Sequence, residues 1–160
     1  MTRRSLLASL AACAVGAGAV AGAAAAHHPK PVAYAATLTA VEGSGAAGSA
    51  RLLDRPGTGR DVLTVKVRGL SPRTAYRFHV HETDEPGNPC LEEHDEEHGH
   101  EEHGPIAGWT PSRLAANARG RAVAIARTRG FEKHADETYW IDVETTGGEV
   151  VACGILKKRR

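Results

Sequence analysis

The stretch that decides the fold is YRFHVH, residues 76–81, in which bulky and polar side chains alternate strictly. Side chains two positions apart on a β-strand share one face, so Tyr76, Phe78 and Val80 belong to one face and His79 and His81 to the other. Two imidazoles side by side on a rigid strand form a natural half-site for copper or zinc. The alternative is a pair of polar residues on the solvent-exposed face of a strand, without a role in metal binding.

The same period of two recurs on both sides of this stretch. Alternating apolar runs occur near residues 34–39, 63–68, 123–125, 139–143 and 150–152. Gly, Pro, Asp or Ser separates most of them, and no segment after residue 26 has a helical period. The pattern predicts an all-β sandwich or barrel of about eight strands, with the eighth located at residues 49–54 or 113–117.

One long segment, Thr83 to Ser112, interrupts the strands with four prolines and is predicted to be a loop. Its centre, Leu91 to His103, holds four His and seven carboxylates in thirteen residues. Imidazole suits copper, zinc and nickel, and His-rich tracts are typical of metal binding. The alternative is a solvated acidic run with incidental His. The candidate ligands in this run are His94, His98, His100 and His103.

The first 26 residues have the pattern of a secretory signal peptide. Arg3 and Arg4 precede an uncharged Ala/Gly-rich stretch that ends in small residues at Ala26. We expect cleavage near Ala26, a mature domain of residues 27–160, and a location outside the cytoplasm. A retained anchor, a twin-arginine export signal and lipidation at Cys13 are the alternatives, and we expect membrane contact only with lipidation.

Cleavage after Ala26 would leave two cysteines, Cys90 and Cys153, which in an exported chain are predicted to form one disulfide. The whole chain has 160 residues, with 20 Lys and Arg against 19 Asp and Glu and a net charge of +1. This balance argues against a nucleic-acid partner. The KKRR end, Lys157 to Arg160, is predicted to be a frayed solvated tail, with binding to an acidic surface as the alternative.

Three blocks of the sequence resemble the copper/zinc superoxide dismutase family. Gly69-Leu70 followed by Phe78-His79-Val80-His81-Glu82 resembles the family's GL…FHVHE strand. Cys90 has the family's spacing from His81, and Ala152-Cys153-Gly154-Ile155 resembles its closing ACGVI. The resemblance spans nearly all of the mature chain.

The resemblance implies an eight-stranded Greek-key barrel that binds copper, with zinc as a second metal. It also implies an oxidoreductase that acts on superoxide in antioxidant defence. His79 and His81 match the family's HxH copper ligands. The family's late copper His belongs near Trp140 to Glu144, where this chain has no His, and its zinc Asp belongs near Thr110, where there is no Asp. Members of the family often form homodimers.

These departures leave three functions open. The first is an exported superoxide dismutase in which the acidic loop helps to recruit metal. The second is a non-catalytic copper- or zinc-binding protein that buffers metal through residues 91–103. The third is a structural module similar to chordin-like repeats, which also carry a His-x-His strand.

Overall fold

The computed structural model describes residues 30–58, 60–84, 87–90, 106, 109, 112–128, 131, 134 and 137–159. These residues contain no helix, and hence no helix long and apolar enough to cross a membrane. Within them the strands are β1 (Val32–Ala40), β2 (Ala47–Asp54), β3 (Asp61–Arg68), β4 (Ala75–Thr83), β5 (Arg113–Ala115), β6 (Ala122–Thr128), β7 (Thr138–Thr145), β8 (Val150–Ile155) and β9 (Lys157–Lys158).

The strands form one antiparallel sheet that curls into a nearly closed barrel. Its order is β5-β4-β7-β8-β1-β2-β3-β6, and the two-residue β9 adds to β1. The end strands β5 and β6 lie against each other, and β7 pairs with β4. The strands β4 to β7 therefore lie in the spatial order β7-β4-β5-β6. This is the spatial order of a Greek key. The predicted all-β Greek-key barrel is confirmed, and both candidate positions for the eighth strand are strands, β2 and β5.

The alternating side chains fill the barrel interior. Leu63, Val65, Phe78 and Val80 are fully buried, as the period of two predicts. In β6 the buried face is made of alanines, whereas Val123 and Ile125 point outward. Because the alanines of β6 lie opposite the large side chains of β3, small residues fit there. The pattern predicted a strand at β6 without indicating which face is buried.

The connection between β4 and β5 ends at Ser112 as predicted and starts one residue later than predicted, because Thr83 is the last residue of β4. The disulfide joins Cys90 to Cys153 on β8, which confirms the predicted pairing and suits an oxidising compartment. Farther along, the Ile106 amide donates to the Val80 carbonyl at 2.7 Å, and the Phe78 amide donates to the Ser112 carbonyl at 2.9 Å. Both ends of the connection are therefore fastened to the β4, β7 and β8 side of the barrel.

The prediction that the basic C-terminal end is frayed is wrong for residues 157–159. Lys157 and Lys158 pair with Ala35 and Tyr34 as β9, and the Arg159 amide donates to the Ala33 carbonyl at 2.8 Å. Leu156 is buried, so the chain is held in the core immediately before the basic residues. Lys157 and Lys158 then pair with the edge of β1 that faces away from β2.

We expect loss of the disulfide to destabilise the barrel strongly. The bond closes a loop of 63 residues, for which the chain-entropy model gives about 4 kcal/mol of stabilisation. The double variant Cys90→Ser/Cys153→Ser should lose about that much free energy of unfolding in a urea titration. The parent protein in reducing agent should lose the same amount. A loss in the variant without a loss on reduction would contradict the assignment of this stability to the disulfide.

Candidate metal centre

The site is built on the outer face of two paired strands, β4 and β7. Their antiparallel register places His79 opposite Asp142 and His81 opposite Trp140. Residues directly opposite each other on one face have Cβ atoms about 5 Å apart. The pairing therefore brings a carboxylate from β7 against the two imidazoles of β4, although 61 and more residues separate them along the chain.

Asp142 is the centre of the cluster. Its Oδ1 accepts the backbone amide of His79 at 3.0 Å, and its Oδ2 lies 2.9 Å from the Nε2 of His81. The His79 Nδ1 lies 3.7 Å from the same carboxylate. The Asp142 side chain is only 2% exposed. A buried carboxylate needs such polar partners, because burial without them is costly.

The two imidazoles differ in their access to solvent. The ring of His81 stacks on the indole of Trp140, with centroids 4.0 Å apart and planes 10° from parallel. The side chain of His81 is 11% exposed in consequence, whereas that of His79 is 24% exposed. Trp140 therefore packs directly on a candidate ligand. Solvent therefore reaches the cluster from the side of His79.

A second carboxylate, Glu144, borders the cluster on its open side. Its Oε1 lies 3.2 Å from the Nδ1 of His79. Burial raises the pKa of Glu144 above its usual value, the negative charge of Asp142 raises it further, and His79 opposes the shift. The site thus concentrates two carboxylates beside two imidazoles, an arrangement in which a bound cation would relieve the repulsion between the acids.

The disulfide and the long connection meet the sheet next to this cluster. Cys153 on β8 lies opposite Asp142 on β7, so the disulfide attaches Cys90 beside the buried carboxylate. On the other edge of β4, Ile106 binds the carbonyl of Val80, the residue between the two His. The two attachment points flank the cluster from opposite sides.

The ligand atoms of His79, His81 and Asp142 all lie within 4.8 Å of one another, close enough for this group to hold a metal ion. Two ligands of one tetrahedral ion at about 2.0 to 2.2 Å lie about 3.5 Å apart, so side-chain movements of about 1 Å would bring the three groups onto one ion. Two imidazole nitrogens and one carboxylate oxygen suit zinc, copper and other divalent first-row metals. The donor set does not distinguish among these metals.

The sequence predicted part of this site. His79 and His81 share the outer face of β4, as expected, and both join the cluster. His94, His98, His100 and His103 lie outside the described residues, as do residues 1–26 and Cys13. Sequence reasoning missed Asp142. The available signal was a charged residue in the middle of the apolar strand YWIDV, in the segment where the resemblance called for a ligand of a different type.

No protein-family model matches the chain, and no curated protein matches it. The function must therefore be argued from the cluster itself.

We expect Glu144→Gln to stabilise the metal-free protein near neutral pH. A raised pKa means that the fold disfavours the ionised carboxylate, so the parent loses stability as the pH rises through that pKa. Glutamine does not ionise and avoids this loss. Thermal unfolding in chelator should give a higher Tm for the variant at about pH 7 and a smaller difference at about pH 4. A variant less stable than the parent at pH 7 would contradict the prediction.

Proposed function

We propose that the protein is an exported metal-binding barrel of the copper/zinc superoxide dismutase type, which binds copper at His79, His81 and Asp142 and disproportionates superoxide. The observation that carries the proposal is the cross-strand cluster of two imidazoles and a buried carboxylate. Neither the two His nor Asp142 alone makes a site, and only the barrel brings them together. The disulfide supports an oxidising location, in keeping with the signal-like residues 1–26.

The roles of the residues follow from their environments. His81, stacked on Trp140 and bonded to Asp142, is held in one orientation and provides a fixed nitrogen ligand. Asp142 is held by the His79 amide and supplies a negative oxygen ligand from a buried position. His79 is the more accessible ligand, so small molecules reach the site on its side. Copper bound there would supply one-electron chemistry, alternating between Cu(II) and Cu(I) as two superoxide ions become oxygen and peroxide.

The sequence resemblance supports the choice of copper. The HxH pair matches the family's copper ligands, and Asp142 lies within Trp140 to Glu144, the segment in which the family carries its late copper His. We propose that the carboxylate of Asp142 takes the place of that imidazole. Zinc at the same residues is the alternative that the donor set also fits.

A second function, metal binding without catalysis, is favoured by the oxygen ligand. A carboxylate prefers harder divalent ions and stabilises Cu(II) over the softer Cu(I), which opposes redox cycling. The negative charges of Asp142 and Glu144 would also repel superoxide. In this function the barrel site holds one ion, and the His-rich residues 91–103 bind further equivalents that buffer or deliver metal.

We expect copper affinity to depend on all three clustered residues. Asp142→Asn and the double variant His79→Ala/His81→Ala should each weaken tight copper binding by more than about 100-fold, because loss of a supporting partner alone costs 10- to 100-fold. Competition titration with a chromophoric chelator measures this. His134→Ala, which removes an exposed His from a different segment, is the matched control and should leave the tight site unchanged. Equal affinity in all variants would refute the site.

Superoxide disproportionation by the copper-loaded protein separates the two functions. Catalysis predicts a rate well above that of free or chelated copper, lost in His79→Ala/His81→Ala and retained in His134→Ala. Pulse radiolysis in the presence of a weak chelator measures the protein-bound rate. Tight binding with a rate no better than chelated copper would leave the buffering function. A protein whose stability and activity ignore metal would support the structural module.

A further inference from the structure

The second candidate surface lies on the half of the barrel that carries no part of the metal site. The strands β9, β1, β2, β3 and β6 are consecutive neighbours, and their outward side chains form one continuous sheet face. The registers align these side chains in rows across the strands. We call this surface the basic face, and its exposed cations are Arg51, Lys66, Arg68, Arg127, Lys157 and Arg159.

Every row of the basic face contains a cation. One row runs from Lys157 through Ala35, Arg51 and Thr64 to Ile125. A second row consists of Arg159, Ala33, Leu53, Val62 and Arg127. A third consists of Thr37, Ser49, Lys66 and Val123. The fourth consists of Ala47 and Arg68. The face is about 20 Å wide, since five strands are separated by about 4.8 Å each.

The basic face has no acidic residue to balance these charges. None of the described residues that point outward from these five strands is Asp or Glu. The acidic residues of these strands, Asp54 and Asp61, point into the barrel and are buried. Asp61 is occupied there by the amides of Arg55 and Phe131. The His79 and His81 cluster, by contrast, pairs its imidazoles with Asp142 and Glu144.

Two large aliphatic side chains stand out among the cations. Val123 is 64% exposed and Ile125 is 47% exposed, the only large hydrophobic residues with high exposure in the described chain. They are two positions apart on β6, so both point outward from the same face. A soluble polyanion would neutralise the cations but leave these side chains in water. A lipid bilayer with anionic headgroups offers negative charge at its surface and an apolar layer just beneath it.

We propose that the basic face docks the protein on anionic phospholipid membranes. Its cations engage the headgroups, and Val123 and Ile125 enter the boundary between headgroups and acyl chains. The near-zero net charge of the chain gives no indication of this surface, because the described outward positions of these strands carry cations and no carboxylate. Docking needs no lipid at Cys13 and differs in this respect from the sequence expectation. It leaves the β4–β7 site directed away from the membrane.

Vesicle co-sedimentation of the full chain tests the proposal. The vesicles are phosphatidylcholine alone or an equimolar mixture with phosphatidylglycerol, at low and high salt. We expect preferential binding to the anionic vesicles that weakens with salt, and a loss of about tenfold or more in Arg51→Glu/Lys66→Glu. The control Arg113→Glu/Arg119→Glu makes the same charge change at exposed positions outside the face and should bind like the parent. All these proteins carry the same residues 1–29, so their differences report the face.

The aliphatic pair distinguishes a membrane from a soluble polyanion. Val123→Ser/Ile125→Ser should lose several-fold in binding to anionic vesicles and retain its binding to dextran sulfate. Equal vesicle binding by this variant and the parent would overturn the membrane proposal in favour of a polyanion. Equal losses of vesicle binding in Arg51→Glu/Lys66→Glu and in the control would overturn the assignment of binding to the basic face. If the charge-reversal variant does not fold, Arg51→Gln/Lys66→Gln replaces it, and equal binding of this variant and the parent to the anionic vesicles would overturn the proposal.

Discussion

The antiparallel register between β4 and β7 is the constraint on which the site depends. It sets His79 opposite Asp142 and His81 opposite Trp140, and every polar contact of the cluster follows from it. A slip of one residue would turn Asp142 toward the core and bring Ile141 to the outer face. The register is held by the apolar side chains on the inner face, among them Phe78, Val80 and Ile141, all of which are fully buried. Core packing therefore fixes the position of the ligands.

A buried carboxylate gives the cluster its chemical character. Asp142 keeps its place through the His79 amide and the His81 ring, so the same contacts that satisfy the acid orient the two imidazoles. Glu144 adds a second acidic group, whose pKa is raised by burial and further by the charge of Asp142. An arrangement of this kind could hold a divalent cation, which would offset the repulsion between the acids. If that ion is copper, as proposed, the oxygen ligand would favour Cu(II).

The barrel separates two surfaces of opposite chemistry. The β4–β7 side carries the imidazoles, the carboxylates and the attachment points of the acidic connection, which the disulfide and Ile106 fasten on either side. The strands from β9 to β6 carry unbalanced cations with two exposed aliphatic side chains. A protein docked through the second surface would present the first to the surrounding solution. The fold thus accommodates both proposals without competition for residues.

The sequence by itself determined the β class, the positions of most strands, the bounds of the long connection, the cysteine pair and the shared face of His79 and His81. These features are local or follow from counting, because a period of two and a pair of cysteines are legible along the chain. Only the tertiary structure decided that Asp142 completes the cluster, that alanines rather than Val123 and Ile125 line the interior at β6, and that Lys157 and Lys158 form a strand. Each of these depends on which strands become neighbours and in what register, and a Greek key makes neighbours of strands that are distant in the chain.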